Sequence, residues 1–184
     1  NTVEGGAVVS ADKSIIEKAD RYKNFGMVGT EDFTEPGTNA KMSEFHAAMG
    51  LANLHHMEES IAVRKKICEE YDRALSNVDG VKLLSRDPAV RSNYAYYPVV
   101  LEDNYPLNRE ELCAKFAEKN IFPRKYFYPI VTEFSCYKGR TGFPEGSIAL
   151  DVSKRVLCLP LYDTLGSNYI SDICSGISSV SRKE

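Results

Sequence analysis

Apolar and polar positions alternate along this chain in blocks, and the blocks predict its elements. The opening "NTVEGGAVVS" sets two glycines, Gly5-Gly6, before the run Ala7-Val8-Val9, which predicts a tight passage into a strand. In "ADKSIIEKADRYKNFG", Ile15, Ala19 and Tyr22 recur at helical spacing, with Asp12 as N-cap and Asn24-Phe25-Gly26 as the stop. "MVGTEDFTEPGTNA" has no periodicity and reads as a loop. From about Lys41 to Leu75, the positions Phe45, Met49, Ala52, Met57, Ile61, Ile67, Cys68, Tyr71 and Leu75 approximate one helical stripe. This predicts a single long helix, bridging two domains or bracing against a partner. After "NVDG" the pattern changes. "VKLLS" and "YAYYPVVLED" predict two strands separated by a turn around Asp87-Pro88. "NREELCAKFAEKN" predicts a short helix with Asn108 and Glu111 as a capping box and Leu112 above Phe116. An extended aromatic segment, "IFPRKYFYP", precedes a Gly/Pro-rich loop over 138–146, a short helix and the strand "VLCLP". The last helix places Ile170, Ile173, Ile177 and Val180 on one face. The expected organisation is a strand-helix portion with the long helix over 1–76, then a smaller α+β unit over 77–184.

Composition narrows the classes of function. The 184 residues carry 23 basic and 26 acidic side chains, a net charge of −3, with no long run of one sign. That argues against a nucleic-acid or membrane-surface binder, whose footprint is a basic patch. No apolar run approaches the roughly 20 residues of a membrane helix. Cys68, Cys113, Cys136, Cys158 and Cys174 are widely spaced and form no C-x-x-C pair. They are expected to be reduced, buried thiols, which points to the cytoplasm. His46, His55 and His56 fall at spacings unsuited to a helical metal motif and read as surface or helix-packing residues, so no metal is expected. Nucleophile-elbow and Gly-rich nucleotide fingerprints are absent as well.

Two stretches carry candidate chemistry. In "EPGTNAKMSEFHAAMGL", Pro36-Gly37-Thr38-Asn39 is expected to lead directly into a helix, whose first N–H groups make a natural seat for phosphate. Asn39 is then either a plain N-cap or a ligand contact. In "FPRKYFYP", Arg124, Lys125, Tyr126 and Tyr128 combine cations and aromatic rings. Such a cluster suits a phosphorylated, ring-containing ligand, and equally an edge strand with alternating inward aromatics.

Taken together, "NTVEGGAVVS", "GTNAKMSEFHAAMGLANL", "RKYFYP" and "VLCLPLYDTL" resemble, in this order, the DegT-like nucleotide-sugar aminotransferases. These are pyridoxal 5'-phosphate (PLP) enzymes of the aspartate aminotransferase superfold. The resemblance runs from Asn1 to about Val180. It implies an α/β fold: the C-terminal part of a PLP-dependent transferase, a remnant of the large PLP-binding domain plus the small α+β domain. The E-G-G-A of such enzymes follows the segment bearing the Schiff-base lysine. That lysine is therefore expected upstream of Asn1, this chain is expected to hold no catalytic residue, and alone it should not turn over. The resemblance further implies transfer of an amino group from an amino acid, commonly glutamate, to a keto group on a nucleotide-linked deoxysugar, as in lipopolysaccharide and O-antigen precursors. It implies a homodimer in which Asn39 reaches the PLP phosphate of the partner subunit. Arg124, Lys125, Tyr126 and Tyr128 match the region that approaches the sugar nucleotide. Many relatives carry a His shortly after the aromatic motif, and "YPIVTEF" has none. The "RKYFYP" form looks most like members acting on dTDP-linked 6-deoxy-keto-sugars. Three alternatives stand beside this: a sugar dehydratase of the same fold with His in place of the lysine, a non-catalytic sugar-nucleotide-binding module, and a dimerisation domain.

Overall fold

The structure, a computed structural model, describes residues 2–137 and 147–181; the expected Gly/Pro-rich loop over 138–146 lies outside them. Two compact units divide the chain, residues 1–58 and 59–184.

In the first unit, α1 (Lys13–Lys23) starts where its cap predicts. The Asp12 carboxylate accepts from the Ser14 N–H at 2.9 Å, and Asn24 closes the helix. Phe25 and Gly26 then take positive φ, 61° and 78°, and turn the chain into a two-stranded hairpin of β1 (Met27–Val28) and β2 (Asp32–Phe33). The return segment passes so close to the end of α1 that a Cβ on Gly37 would lie 2.5 Å from the Phe25 carbonyl carbon. Only a glycine fits there. The close passage lets Asn39 pair with Asn24 through the backbone.

Three expectations for this unit need correction. Residues 7–9 pair with no strand among the described residues, and Val8 and Val9 are 65% and 89% exposed. A strand is defined by its neighbour, and β-branched residues alone do not supply one. Asn39 does not cap a helix. Held extended by its pairing with Asn24, it leaves the cap to Ser43, whose hydroxyl accepts from the His46 N–H at the start of α2 (Glu44–Leu54). Finally, the long helix is two helices. The His56 N–H turns back to the Asn53 carbonyl at 3.1 Å, and α3 (Met57–Leu75) begins anew. Asn and His have modest helix propensity, so three of them within four positions (Asn53, His55, His56) make a weak point.

The second unit contains the hydrophobic core. Ile67, Cys68, Tyr71 and Leu75 of α3 face a three-stranded antiparallel sheet, ordered β3 (Val81–Leu83), β4 (Tyr97–Leu101), β5 (Val156–Leu159). That packing groups α3 with this unit in the division at 58/59. β5 is buried at all four positions and β4 at all but Pro98, as central core strands should be. On the core lie α4 (Arg109–Ala117), closed by the Asn108–Glu111 capping box, and α6 (Ser167–Ser181), while α5 (Ile148–Arg155) leads into β5. Helix α6 buries Ile170, Ile173, Ile177 and Val180, as its pattern predicts. Buried hydroxyls find partners: Tyr71 donates to the Pro160 carbonyl at 2.9 Å and Tyr105 to that of Ile177 at 2.8 Å. Asp72 on α3 receives both the Arg86 guanidinium and the Tyr97 hydroxyl, which ties the helix to the sheet.

The cysteines are not uniformly buried. Cys68, Cys158 and Cys174 are, and burial pushes the Cys68 and Cys174 thiols up to about 11. Cys113 is half-buried, packed against the core, and Cys136 is exposed.

Candidate functional site

The aromatic segment is anchored on β5 by its main chain. The Arg124 N–H donates to the Cys158 carbonyl at 2.9 Å, and the Cys158 N–H returns a bond to the Arg124 carbonyl at 2.8 Å. Past this pair of hydrogen bonds the side chains diverge. Arg124, in the extended bridge to β5, and Tyr126, in the turn that follows, meet on one side. There Arg124 Nη1 donates to the Tyr126 hydroxyl at 2.6 Å. Tyr126 stacks on Phe127, with ring centroids 4.7 Å apart, and meets Tyr96 edge-on at 5.6 Å. Arg124, Tyr126 and Tyr96, with Phe122, Leu161 and Tyr162, line a cleft of about 400 Å³. A guanidinium has five N–H donors, and the Tyr126 bond engages one of them. The cleft therefore offers a fixed cation in front of aromatic faces, an arrangement that binds and orients an anion attached to rings.

The other two members of the cluster turn away from that cleft. Lys125 makes an ion pair with Glu110 on α4. The Tyr128 N–H turns back to the Lys125 carbonyl at 2.8 Å, which swings the Tyr128 ring over the Arg109 guanidinium, 4.2 Å from its centroid. Arg109 is only 5% exposed; it donates to the Ser153 carbonyl at 2.5 Å and to Glu110 Oε1 at 3.0 Å. The hydrogen bond from Lys125, with a second from Arg109, holds the Glu110 carboxyl below the usual carboxylate range.

Asn39 lies in the first unit, with its side chain exposed beside a backbone pinned by the Asn24 pairing and by the Ala40 N–H to the Lys23 carbonyl at 2.9 Å. An outward carboxamide N–H on a fixed backbone is a donor of the kind a phosphate oxygen accepts, so its chemistry fits one contact to PLP. Among the described residues, no three His, Cys, Asp or Glu side chains group as a metal site. His46 accordingly serves its own helix end, with Nδ1 2.6 Å from the Ser43 hydroxyl. Among the described residues, no helix is long and apolar enough to cross a membrane.

Sequence reasoning missed Tyr96, Phe122, Tyr162, Arg109 and Glu110. Two signals were available. In "YAYY" the buried Tyr97 puts its neighbour Tyr96 on the opposite face. And Arg109 places a cation in the first turn of a helix, where the macrodipole disfavours it.

Comparison with known proteins gives this geometry a context. Residues 1–178 match the model of the DegT/DnrJ/EryC1/StrS aminotransferase family. The chain is 35% identical over 180 residues to the dTDP-4-amino-4,6-dideoxy-D-glucose transaminase of Shigella dysenteriae, covering 98% of this chain and 49% of that protein. To the Escherichia coli enzyme of the same name it is 37% identical over 172 residues, covering 92% and 46%. Its structure superposes on DesI, solved in the presence of its TDP-sugar product, with a TM-score of 0.89 and 28% identity over 100% of this chain and 47% of that one. The chain spans about half the length of the curated relatives it matches. Its α/β architecture is that of the PLP-dependent sugar aminotransferases, and the chain belongs to the DegT/DnrJ/EryC1/StrS aminotransferase family.

Proposed function

We propose that this chain works, as part of a longer protein, in the transfer of an amino group from an amino acid, glutamate in the simplest case, to a dTDP-linked 6-deoxy-keto-sugar. The observation that carries the reading is the Arg124 guanidinium set in front of Tyr126 and Tyr96 in one cleft. Relatives named for a 4-amino-4,6-dideoxyglucose product support the sugar class and ring position 4, and favour transamination over deoxygenation.

Each residue then has a task. Arg124 grips the diphosphate, because its planar fork can offer two parallel N–H donors to one phosphoryl group. Tyr126, oriented by the Arg124 bond and by Phe127, covers a sugar or base face. Asn39 donates from its carboxamide to the phosphate of PLP held by the partner subunit of a homodimer. When bound, PLP supplies the electron sink for the transfer. This chain's contribution is to hold and orient, and none of the residues in its cleft is assigned a catalytic role.

Arg124→Lys in the full-length enzyme tests the reading. It keeps the charge and loses the fork. The Michaelis constant for the sugar nucleotide should rise about tenfold, corresponding to roughly 1.4 kcal/mol for the lost charge-assisted bond. The half-reaction with the amino donor, followed by stopped-flow absorbance, should keep its rate. If both half-reactions slow together, Arg124 serves the fold or the cofactor site and the assignment is wrong.

A further inference from the structure

The ion pair and ring stack behind the aromatic segment have no evident stability rationale. Lys125 and Glu110 are 35% and 58% exposed, and surface pairs of that kind contribute little. Arg109 is worse placed, since a buried guanidinium gives up its hydration and here sits at the unfavourable end of a helix. An apolar side chain would pack at that position at lower cost.

The arrangement does supply direction. Glu110 accepts Arg109 on Oε1 and Lys125 on Oε2, so one carboxylate joins the buried cation to the segment. Arg109 is fixed in turn by the Ser153 carbonyl at the end of α5, and offers its flat face to Tyr128. The segment is thus gripped from behind at residues 125 and 128, while residues 124 and 126 face the cleft. The two main-chain bonds to Cys158 and the ring of Tyr96 against those of Tyr126 and Phe127 hold it from the other side.

Building on the substrate-side reading of Arg124, we propose that Arg109 and Glu110 are positioning residues: through Lys125 and Tyr128 they set where the Arg124 guanidinium stands, and so how tightly the nucleoside diphosphate is held.

The test is a mutant cycle in the full-length protein, with dTDP binding measured by calorimetry and the unfolding midpoint recorded for each variant. Arg124→Ala should weaken dTDP. Glu110→Gln and Tyr128→Ala should each raise the Kd about fivefold or more, within the range of couplings between residues that act through one another. Tyr128→Phe, which keeps the ring face, should restore the wild-type Kd. In the Arg124→Ala background, Glu110→Gln should add no further loss, because the group it positions is gone. A structural defect would behave differently: its cost would persist in that background, and such additivity overturns the proposal alone. An unchanged Kd in both Glu110→Gln and Tyr128→Ala overturns it too. If Arg124→Ala leaves dTDP binding intact, the substrate-side reading fails and takes this inference with it. Should Glu110→Gln not fold, Lys125→Met cuts the same link from the segment's side and is judged by the same outcomes.

Discussion

Asn39 shows how much the neighbours of a residue decide. Its amide type suits a helix cap, yet the pairing with Asn24 holds it extended, and Ser43 takes the cap instead. The carboxamide is left exposed on a main chain it does not have to stabilise. Asn39→Ala in the full-length enzyme should therefore leave folding intact and remove one hydrogen bond to a charged phosphate, worth about 1.5–3 kcal/mol. That corresponds to a loss of PLP affinity of roughly ten- to a hundredfold, measurable by dialysis and cofactor absorbance. An unchanged affinity, or a lowered unfolding midpoint, would return the residue to a structural role. Arg124 and Lys125 make the complementary point. Adjacent in sequence and alike in charge, they face opposite ways because an extended backbone alternates, and only one reaches the cleft.

Among the elements, α4 and α6 meet at a contact that leaves no slack. A Cβ on Gly176 would lie 2.6 Å from the ring of Phe116, which is itself 1% exposed and cannot swing aside. Gly176→Ala should gain about 1 kcal/mol of helix propensity and lose more than that to overpacking. The expected net is a destabilisation on the order of 1 kcal/mol in urea titration, and a more stable variant would mean that the ring gives way. The elements of this unit were legible in the sequence because their signals are local. Examples are the Asn108–Glu111 box, the four-residue face of α6 and the apolar run of β5. What was not legible depends on distant partners or on weak competition. Val8 and Val9 have strand propensity but pair with no strand among the described residues, and the break at His55–His56 carries no Pro to announce it. The same division holds at the site. Arg124 and Tyr126 were visible as a motif; Tyr96 and Tyr162 reach the cleft from segments far off in sequence, and the link from Lys125 to Glu110 joins residues fifteen positions apart.

For the molecule as a whole, burial is distributed unevenly. Among the described residues, every buried hydrophobic one lies between Ile67 and Val180, whereas the first unit buries only Gly26. Unit 2 has a core of its own; unit 1 is held by its hairpin, helix caps and main-chain bonds. Hydrogen exchange on this chain by itself should therefore protect β4, β5 and the second half of α3, and leave residues 2–58 exchanging at least about a hundredfold faster, a gap of roughly 3 kcal/mol in opening free energy. Equal protection across both units would show that the first draws stability from something other than a core. The attachment of the aromatic segment also matters for variation. Arg124 is joined to Cys158 through main-chain atoms, which every residue but proline possesses. The side chain at 124 is accordingly not needed to keep the segment in place, and the one at 126 adds ring contacts with Tyr96 and Phe127 to an attachment already made. Randomising those two positions should give a library in which most members still fold, so that sugar preference can be redesigned there without repairing the scaffold.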